Sequence, residues 1–305
     1  MKRAETAAPS WAATPTQDGW LRQPRRVLAR WKLSGPAVLG LTIVVLVVLA
    51  ALLAERIAPA DPESQHVRAR LQAPWWLGGA GGYVLGSDHL GRDIFARVLY
   101  GSRVSLVVGV AAVAVAGGIG VTLGLLAGYF GGWWDSVIMR AADVQQAIPF
   151  LALAIAVVAI LGPGLVNIIL VLAVLTWVPY ARVVRSEVLA LRQSQMVEAA
   201  RVVGASDPWI ILRYLLPNVA PSIIVIASLM VANMITFEAS LSFLGLGVPP
   251  PTPSWGRMVF DGLEYVTTAW WLSVFPGLAV MLTVVGINLV GDWLRDALDP
   301  RLRRR

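Results

Sequence analysis

Side chains able to do chemistry are scarce in this chain of 305 residues. It has no cysteine and two histidines, His66 and His89. Disulfides, thiolate metal sites and a histidine metal cluster are therefore excluded. The only lysines are Lys2 and Lys32, and no Gly-x-x-x-x-Gly-Lys run occurs. Without that phosphate-cradling loop the chain cannot hydrolyse ATP by that route. No nucleophile stands at a recognisable spacing from a base, so catalytic and metal-binding residues are both read as none. What remains is a line of small polar groups in an apolar run. Asn233, Thr236 and Ser240 recur at i, i+3 and i+7, which places them on one helix face. Inside a membrane such a line either hydrogen-bonds to a neighbouring helix or walls a solute path. Glu238 stands close to it, near the outer end of its helix, where solvent or a partner is expected to meet it.

The elements that carry these groups follow from composition. The chain is 57% hydrophobic and 14% charged, against about 25% charged for a soluble protein. Such a chain belongs in a bilayer. About 20 apolar residues cross the hydrocarbon as a helix. Charge-free runs cover Leu33–Ala54, Val104–Trp134, Val144–Ala181 and Tyr265–Gly291, and another runs from Tyr214 to Leu246 past the single Glu238. The third is long enough for two helices, and "LGPG" at Leu161–Gly164 breaks it. The expected fold class is an all-α membrane protein with six transmembrane helices.

Orientation follows from Lys and Arg, which stay in the cytoplasm. With the N-terminus inside, most of the 25 Lys and Arg fall in cytoplasmic segments. Both termini are then cytoplasmic. The net charge of +7 is a matter of topology and lipid headgroups, and no basic stripe interleaved with aromatics points to nucleic acid. The basic start, the apolar run and "APA" at Ala58–Ala60 resemble a signal peptide. The run Leu33–Ala54 exceeds the about 7–15 apolar residues of such a peptide, so an uncleaved anchor is expected. The expected organisation is a tail over 1–32, the first helix over 33–54, an outer loop over 55–101, a five-helix core over 102–292 with an inner loop at 182–217, and a basic tail over 293–305.

Three further features bear on assembly. Gly120, Gly124 and Gly128 form two overlapping GxxxG spacings, which flatten one face of helix two for close approach of a helix in this chain or in a partner. In the outer segment, Ser87 or Asp88 suits a turn cap and Asp93 caps a helix Ile94–Tyr100. Arg92, Asp93, Arg97 and Arg103 are expected in water or at the interface, and Trp75, Trp76 and Tyr83 in the aromatic belt. In the inner loop, Met196, Ala199, Ala200 and Val203 share one helix face, and Glu198 can pair with Arg201. Gly204 suits a helix end. Asp207 and Pro208 suit an N-cap and first helical position. Ile210, Ile211, Leu212 and Leu215 follow, and Pro217 marks the entry to helix five. By spacing alone, this pair also fits an ordinary connector resting on lipid.

The order of residues in that loop resembles the cytoplasmic loop of ABC-importer permeases: Glu198, Ala199, Ala200, then Gly204, Ile210, Leu216 and Pro217. "LGSDHLGRDIFARVLYGSRVSL" (Leu85–Leu106), "EASLSFLGLGVPPPTPSWGRM" (Glu238–Met258) and "GDWLRDALDPRLR" (Gly291–Arg303) are similar to the dipeptide, oligopeptide and nickel subfamily, in particular to its second permease subunit. The resemblance covers nearly everything after about residue 30. It implies a type I ABC importer permease fold in a bacterial inner membrane. It also implies that the seven loop residues form a coupling helix seated in an ATPase subunit. The partners it implies are a homologous permease, two ATP-binding subunits that hold ATP and Mg, and an extracytoplasmic solute-binding protein met by outer segments such as Val248–Ala269. This chain would bind no cofactor, and its translocation path would be walled by Asn233, Thr236 and Ser240. The rival class is an ATP-independent channel or secondary carrier. Secondary carriers often show internal repeats, and none is recognisable here.

Overall fold

The computed structural model describes residues 34–79 and 82–298. The expected tail 1–32 lies outside the described residues, as do residues 299–305. Among the described residues the regular structure is helical, apart from one bridge between Ser87 and Asp93. Five helices are long and apolar enough to cross a membrane, or six if one sharply bent pair counts as a span.

The first helix, α1 (Gly35–Ile57), starts where Ser34 accepts a hydrogen bond from the Ala37 N–H and Pro36 occupies the first turn. Next, α2 (Ile94–Phe130) is 37 residues long. At 1.5 Å per residue it spans about 55 Å, well beyond a hydrocarbon core of about 30 Å. The expected short helix Ile94–Tyr100 is thus the first part of α2. Asp93 caps it by accepting from the Phe95 and Ala96 N–H groups. Burial nonetheless pushes the Asp93 carboxyl above the usual range, against those two hydrogen bonds.

The helix expected as the third span begins earlier than its charge-free run, because Asp135, Arg140 and Asp143 lie within helix α3 (Gly132–Ala147). It then bends by 92° at Ile148–Pro149 into α4 (Phe150–Leu161). "LGPG" ends α4, and Asn167 donates to the Leu161 and Gly162 carbonyls left free there. The fourth span is α5 (Leu165–Leu175) followed by α6 (Val178–Leu191), interrupted at Thr176–Trp177. After the loop that follows α6 come α9 (Leu216–Phe243), the short helix α10 (Trp255–Gly262) and α11 (Trp271–Leu298). Residues 293–298, expected as tail, complete α11.

The core lies between α2, α5 and α9, with Val108, Ala112, Ile168, Leu172, Met234 and Leu241 buried together. Beside it the glycine row brings α2 onto α6 of the same chain. A Cβ on Gly120 would sit 2.3 Å from the Trp177 carbonyl oxygen, one on Gly124 2.7 Å from that of Ala181, and one on Gly128 2.8 Å from Val188 Cβ. Only backbones without side chains come this close.

Charges around the start of α2 depart from expectation. Arg92, Asp93 and Arg97 are buried rather than in water. Arg92 Nε lies 2.6 Å from Asp88 Oδ2, Arg97 Nε lies 3.7 Å from the same oxygen, and Asp261 of α10 pairs with Arg257 at 2.9 Å. Arg97 also donates to the Pro62 carbonyl at 3.2 Å. Arg103 is partly exposed and pairs with Glu55. Asp88 fixes its own turn too, accepting from the Leu90 and Arg92 N–H groups. A charge survives burial only when it is paired in this way.

Two predictions follow from these contacts. Gly124→Val should destabilise the protein by about 1–3 kcal/mol through overpacking, whereas Gly118→Ala, where an added Cβ meets nothing within 4 Å, should be near neutral. Thermal unfolding in detergent compares them, and equal effects would refute the contact. Asp88→Asn leaves two buried guanidinium groups short of a counter-ion and should lose about 3–5 kcal/mol in the same assay, far more than Glu55→Gln at the exposed pair.

Candidate coupling site and translocation path

The loop expected on the cytoplasmic side forms a short helix, α7 (Gln195–Val202), and a turn of helix, α8 (Asp207–Ile210). Gly204 separates them with φ +88°, a left-handed conformation that disfavours a Cβ. The Gly204 N–H donates to the Arg201 carbonyl and the Ala205 N–H to that of Ala200, which together close a Schellman ending. The second piece is not a separate helix. Ile211–Leu215 forms a π-helical turn that carries α8 straight into α9. Pro217 lies just beyond and has no N–H to offer the Arg213 carbonyl, so a shift in register lets the helix pass it.

The face that packs differs from the expected one. Val197 is fully buried, while Met196 is 63% exposed and Val203 88% exposed. Val202 matches Val203 at 88%, so the tip of α7 is an apolar point in the open. Glu198, Ala199, Gly204 and Pro217 are exposed, Ala200 and Leu216 half-buried, and Ile210 buried. The seven residues are thus divided between a free surface and a packed underside. Underneath, Val197, Ile210 and Leu215 pack with Leu125 and Tyr129 of α2 and with Val184 and Val188 of α6.

A polar clasp closes the same contact. The Tyr129 hydroxyl, at the end of α2, donates to Asp207 Oδ1 at 2.5 Å. The Arg201 guanidinium carbon stands over the Tyr129 ring, 5.4 Å from its centroid, within cation–π range. This explains two departures. Arg201 faces Tyr129 instead of Glu198, and Asp207 is held by Tyr129 while Ser206 takes the N-cap position. Arg192 adds a third hold by donating to the Gly128 and Tyr129 carbonyls at 3.3 Å. Tyr129 was not a sequence candidate, because its partners are remote in the chain.

The polar line on α9 divides. Asn233 faces a cavity of about 340 Å³ between α3, α4, the α5–α6 break and α9. Thr236 and Ser240 face another, of about 360 Å³, against α10 and α11. Their hydroxyls donate to the Ala232 and Thr236 carbonyls of their own helix. Glu238 is fully buried away from solvent. It accepts from Ser242 at 2.7 Å and from Ser105 of α2 at 3.3 Å, and Ser254 at the start of α10 reaches Ser242 at 3.4 Å. It is a junction of three helices. No group of His, Asp and Glu among the described residues is arranged to hold a metal ion.

Residues 120–304 match the family described as Binding-protein-dependent transport system inner membrane component, and residues 23–74 match the N-terminal TM domain of oligopeptide transport permease C. The Di/tripeptide transport system permease protein DppC of Pseudomonas aeruginosa (strain UCBPP-PA14) is 43% identical over 265 residues, 87% of this chain and 88% of that protein. The Glutathione transport system permease protein GsiD of Pectobacterium atrosepticum is 43% identical over 290 residues, 95% of this chain and 92% of that protein. Among solved structures, an inward-facing form of the MetNI methionine ABC transporter aligns with TM-score 0.53 at 20% identity, over 67% of this chain and 96% of that one. That likeness is one of fold. The matches to sequence identify function more closely: this chain belongs to the family of binding-protein-dependent transport system inner membrane components, among the ABC-importer permeases that resemble DppC and OppC.

Proposed function

We propose that the chain is one of two permeases in an ATP-driven importer of peptides, with the type I permease fold. Relatives named for di/tripeptide and glutathione transport support a peptide substrate. Both termini are cytoplasmic, as the distribution of Lys and Arg predicts. Residues 1–32 and 293–305 are then inner tails, 55–101 an outer segment, and 182–217 the coupling loop of the core 102–292. A homologous permease completes the path, two ATP-binding subunits hold ATP and Mg, and a solute-binding protein docks outside. This chain needs no cofactor and no nucleic acid, and its surroundings are lipid.

The observation that carries this reading is the build of α7: an exposed apolar tip on a firmly held base. Val202 and Val203 offer a small apolar contact to an ATPase surface, beside Glu198, Ala199 and Gly204. The base grips α2 and α6, and α8 runs on into α9. When nucleotide draws the ATPase subunits together, a pull on α7 therefore moves three spans at once. Tilting them opens the path first to one side and then to the other. The solute must differ in affinity between those states, since only differential binding shifts a population.

Glu198→Lys and Gly204→Asp should leave the chain inserted and assembled yet uncouple ATP hydrolysis from peptide uptake. Normal uptake by both would overturn the assignment. Tyr129→Phe keeps the ring under Arg201 and removes only the hydroxyl held by Asp207. Peptide taken up per ATP hydrolysed should fall several-fold, a loss on the scale of one hydrogen bond to a charged group. An unchanged ratio would leave α2 outside the lever.

A further inference from the structure

Two spans of this chain break beside each other. The first breaks at Ile148–Pro149 with the 92° bend, the second at Thr176–Trp177. The second break has a chemical cause. Pro179 has no N–H to donate to the Leu175 carbonyl four residues earlier. Gln145, in the last turn of α3, supplies the missing donor: its Nε2 lies 2.7 Å from the Leu175 oxygen. Its Oε1 in turn accepts from the Trp177 indole N–H at 2.8 Å. One carboxamide therefore staples the two breaks together.

Backbone outside a helix is tolerated at membrane depth only where protein buries it or where it lines a polar cavity. Here the stapled breaks open onto the cavity of about 340 Å³ that Asn233 faces. Gln146, next to the staple, also lines it, and both Gln146 and Asn233 are exposed. Met230, Phe150 and Phe237 supply apolar wall, the two rings packing with centroids 4.0 Å apart. No Asp, Glu, Lys or Arg lines the cavity.

We propose that these paired breaks form, with Asn233, a charge-free binding site for the peptide backbone of the transported solute. The inference rests on the reading of the chain as a peptide importer permease. A carboxamide offers both donors and an acceptor, which is what a peptide group requires. Methionine and aromatic walls adapt to side chains of different shape. A site without fixed charge favours neither acidic nor basic side chains. Gln145 is a positioning residue, since its amide is engaged by the staple, whereas Gln146 and Asn233 face the solute.

The natural absence of cysteine makes the test direct. The whole importer, with its partner permease, ATPase subunits and binding protein, is reconstituted in proteoliposomes. Gln146→Cys and Asn233→Cys each place one thiol in this chain, and a small membrane-impermeant maleimide labels it, read on this chain by mass. Both should react, and trialanine with ATP should slow the reaction several-fold. Ile160→Cys, at a position 84% exposed on α4 and away from the cavity, should show no such protection. Labelling that trialanine leaves unchanged while uptake proceeds would overturn the site. Gln146→Leu and Asn233→Leu should raise KM for trialanine uptake about tenfold, the scale of one or two lost hydrogen bonds, with a smaller change in kcat. An unchanged KM in both would also overturn it. A natural-sequence complex that takes up no trialanine with ATP would instead remove the peptide-importer reading, and this site with it.

Discussion

The close approach of α2 to α6 is the contact on which the rest of this structure depends. Lipid tails are as apolar as leucine, so burial of apolar side chains does little to hold one spanning helix against another. Association rests on how near the backbones can come. Gly120, Gly124 and Gly128 remove the side chains that would keep α6 away. The same contact sets the height at which α6 ends and the inner loop begins. It thereby brings Asp207 within reach of Tyr129. Without the glycine row, the loop would hang from α6 and α9 alone.

Two groups of buried charged and polar residues are each tied together by ion pairs and hydrogen bonds. At one end, Asp88 neutralises Arg92 and Arg97, Asp261 pairs with Arg257, and Arg92 also reaches Asp261 at 3.9 Å, tying the segment before α2 to α10. Further in, Glu238 joins α2, α9 and α10 through serine hydroxyls. In a low-dielectric interior an unpartnered polar group is costly, and a satisfied network fixes one arrangement. These networks brace the end of the bundle that holds Asp88 and α10. The opposite end has a different character: α7 is short, its tip is open, and its grip on α2 and α6 is concentrated in a few side chains.

The two helix breaks stand between these ends. Proline removes a hydrogen bond wherever it enters a helix, and the freed carbonyl must find another donor. In this chain that donor comes from a different span. The break is therefore a shaped feature of the fold and not a local weakness, and the fold keeps it open toward a cavity.

Much of the architecture was legible in the amino-acid order. Apolar runs marked the spans, "LGPG" marked the turn between α4 and α5, and the four-residue glycine spacing marked a close helix contact. Asp93 and Gly204 announced a helix start and a helix end. These are properties of single segments, set by hydrogen-bond supply at helix ends and by transfer of apolar groups from water, so local order suffices to read them. Other features required contacts across long stretches of chain. Arg92 and Arg97 read as solvent-exposed until Asp88 met both and Asp261 met Arg92. Helical periodicity put Met196 and Val203 on the packed face of α7. Tertiary structure buried Val197 instead, packing it with Leu125 and Tyr129 of α2 and Val184 and Val188 of α6. Likewise, the residue order marked a break in the run Val144–Ala181 only at "LGPG", and only the fold could bring Gln145 to the Leu175 carbonyl beside the break at Pro179. The sequence by itself determined which segments enter the membrane. The tertiary structure decided which polar groups are paired and which are left facing a cavity, since a hydrogen bond across the fold depends on where two distant backbones come to rest.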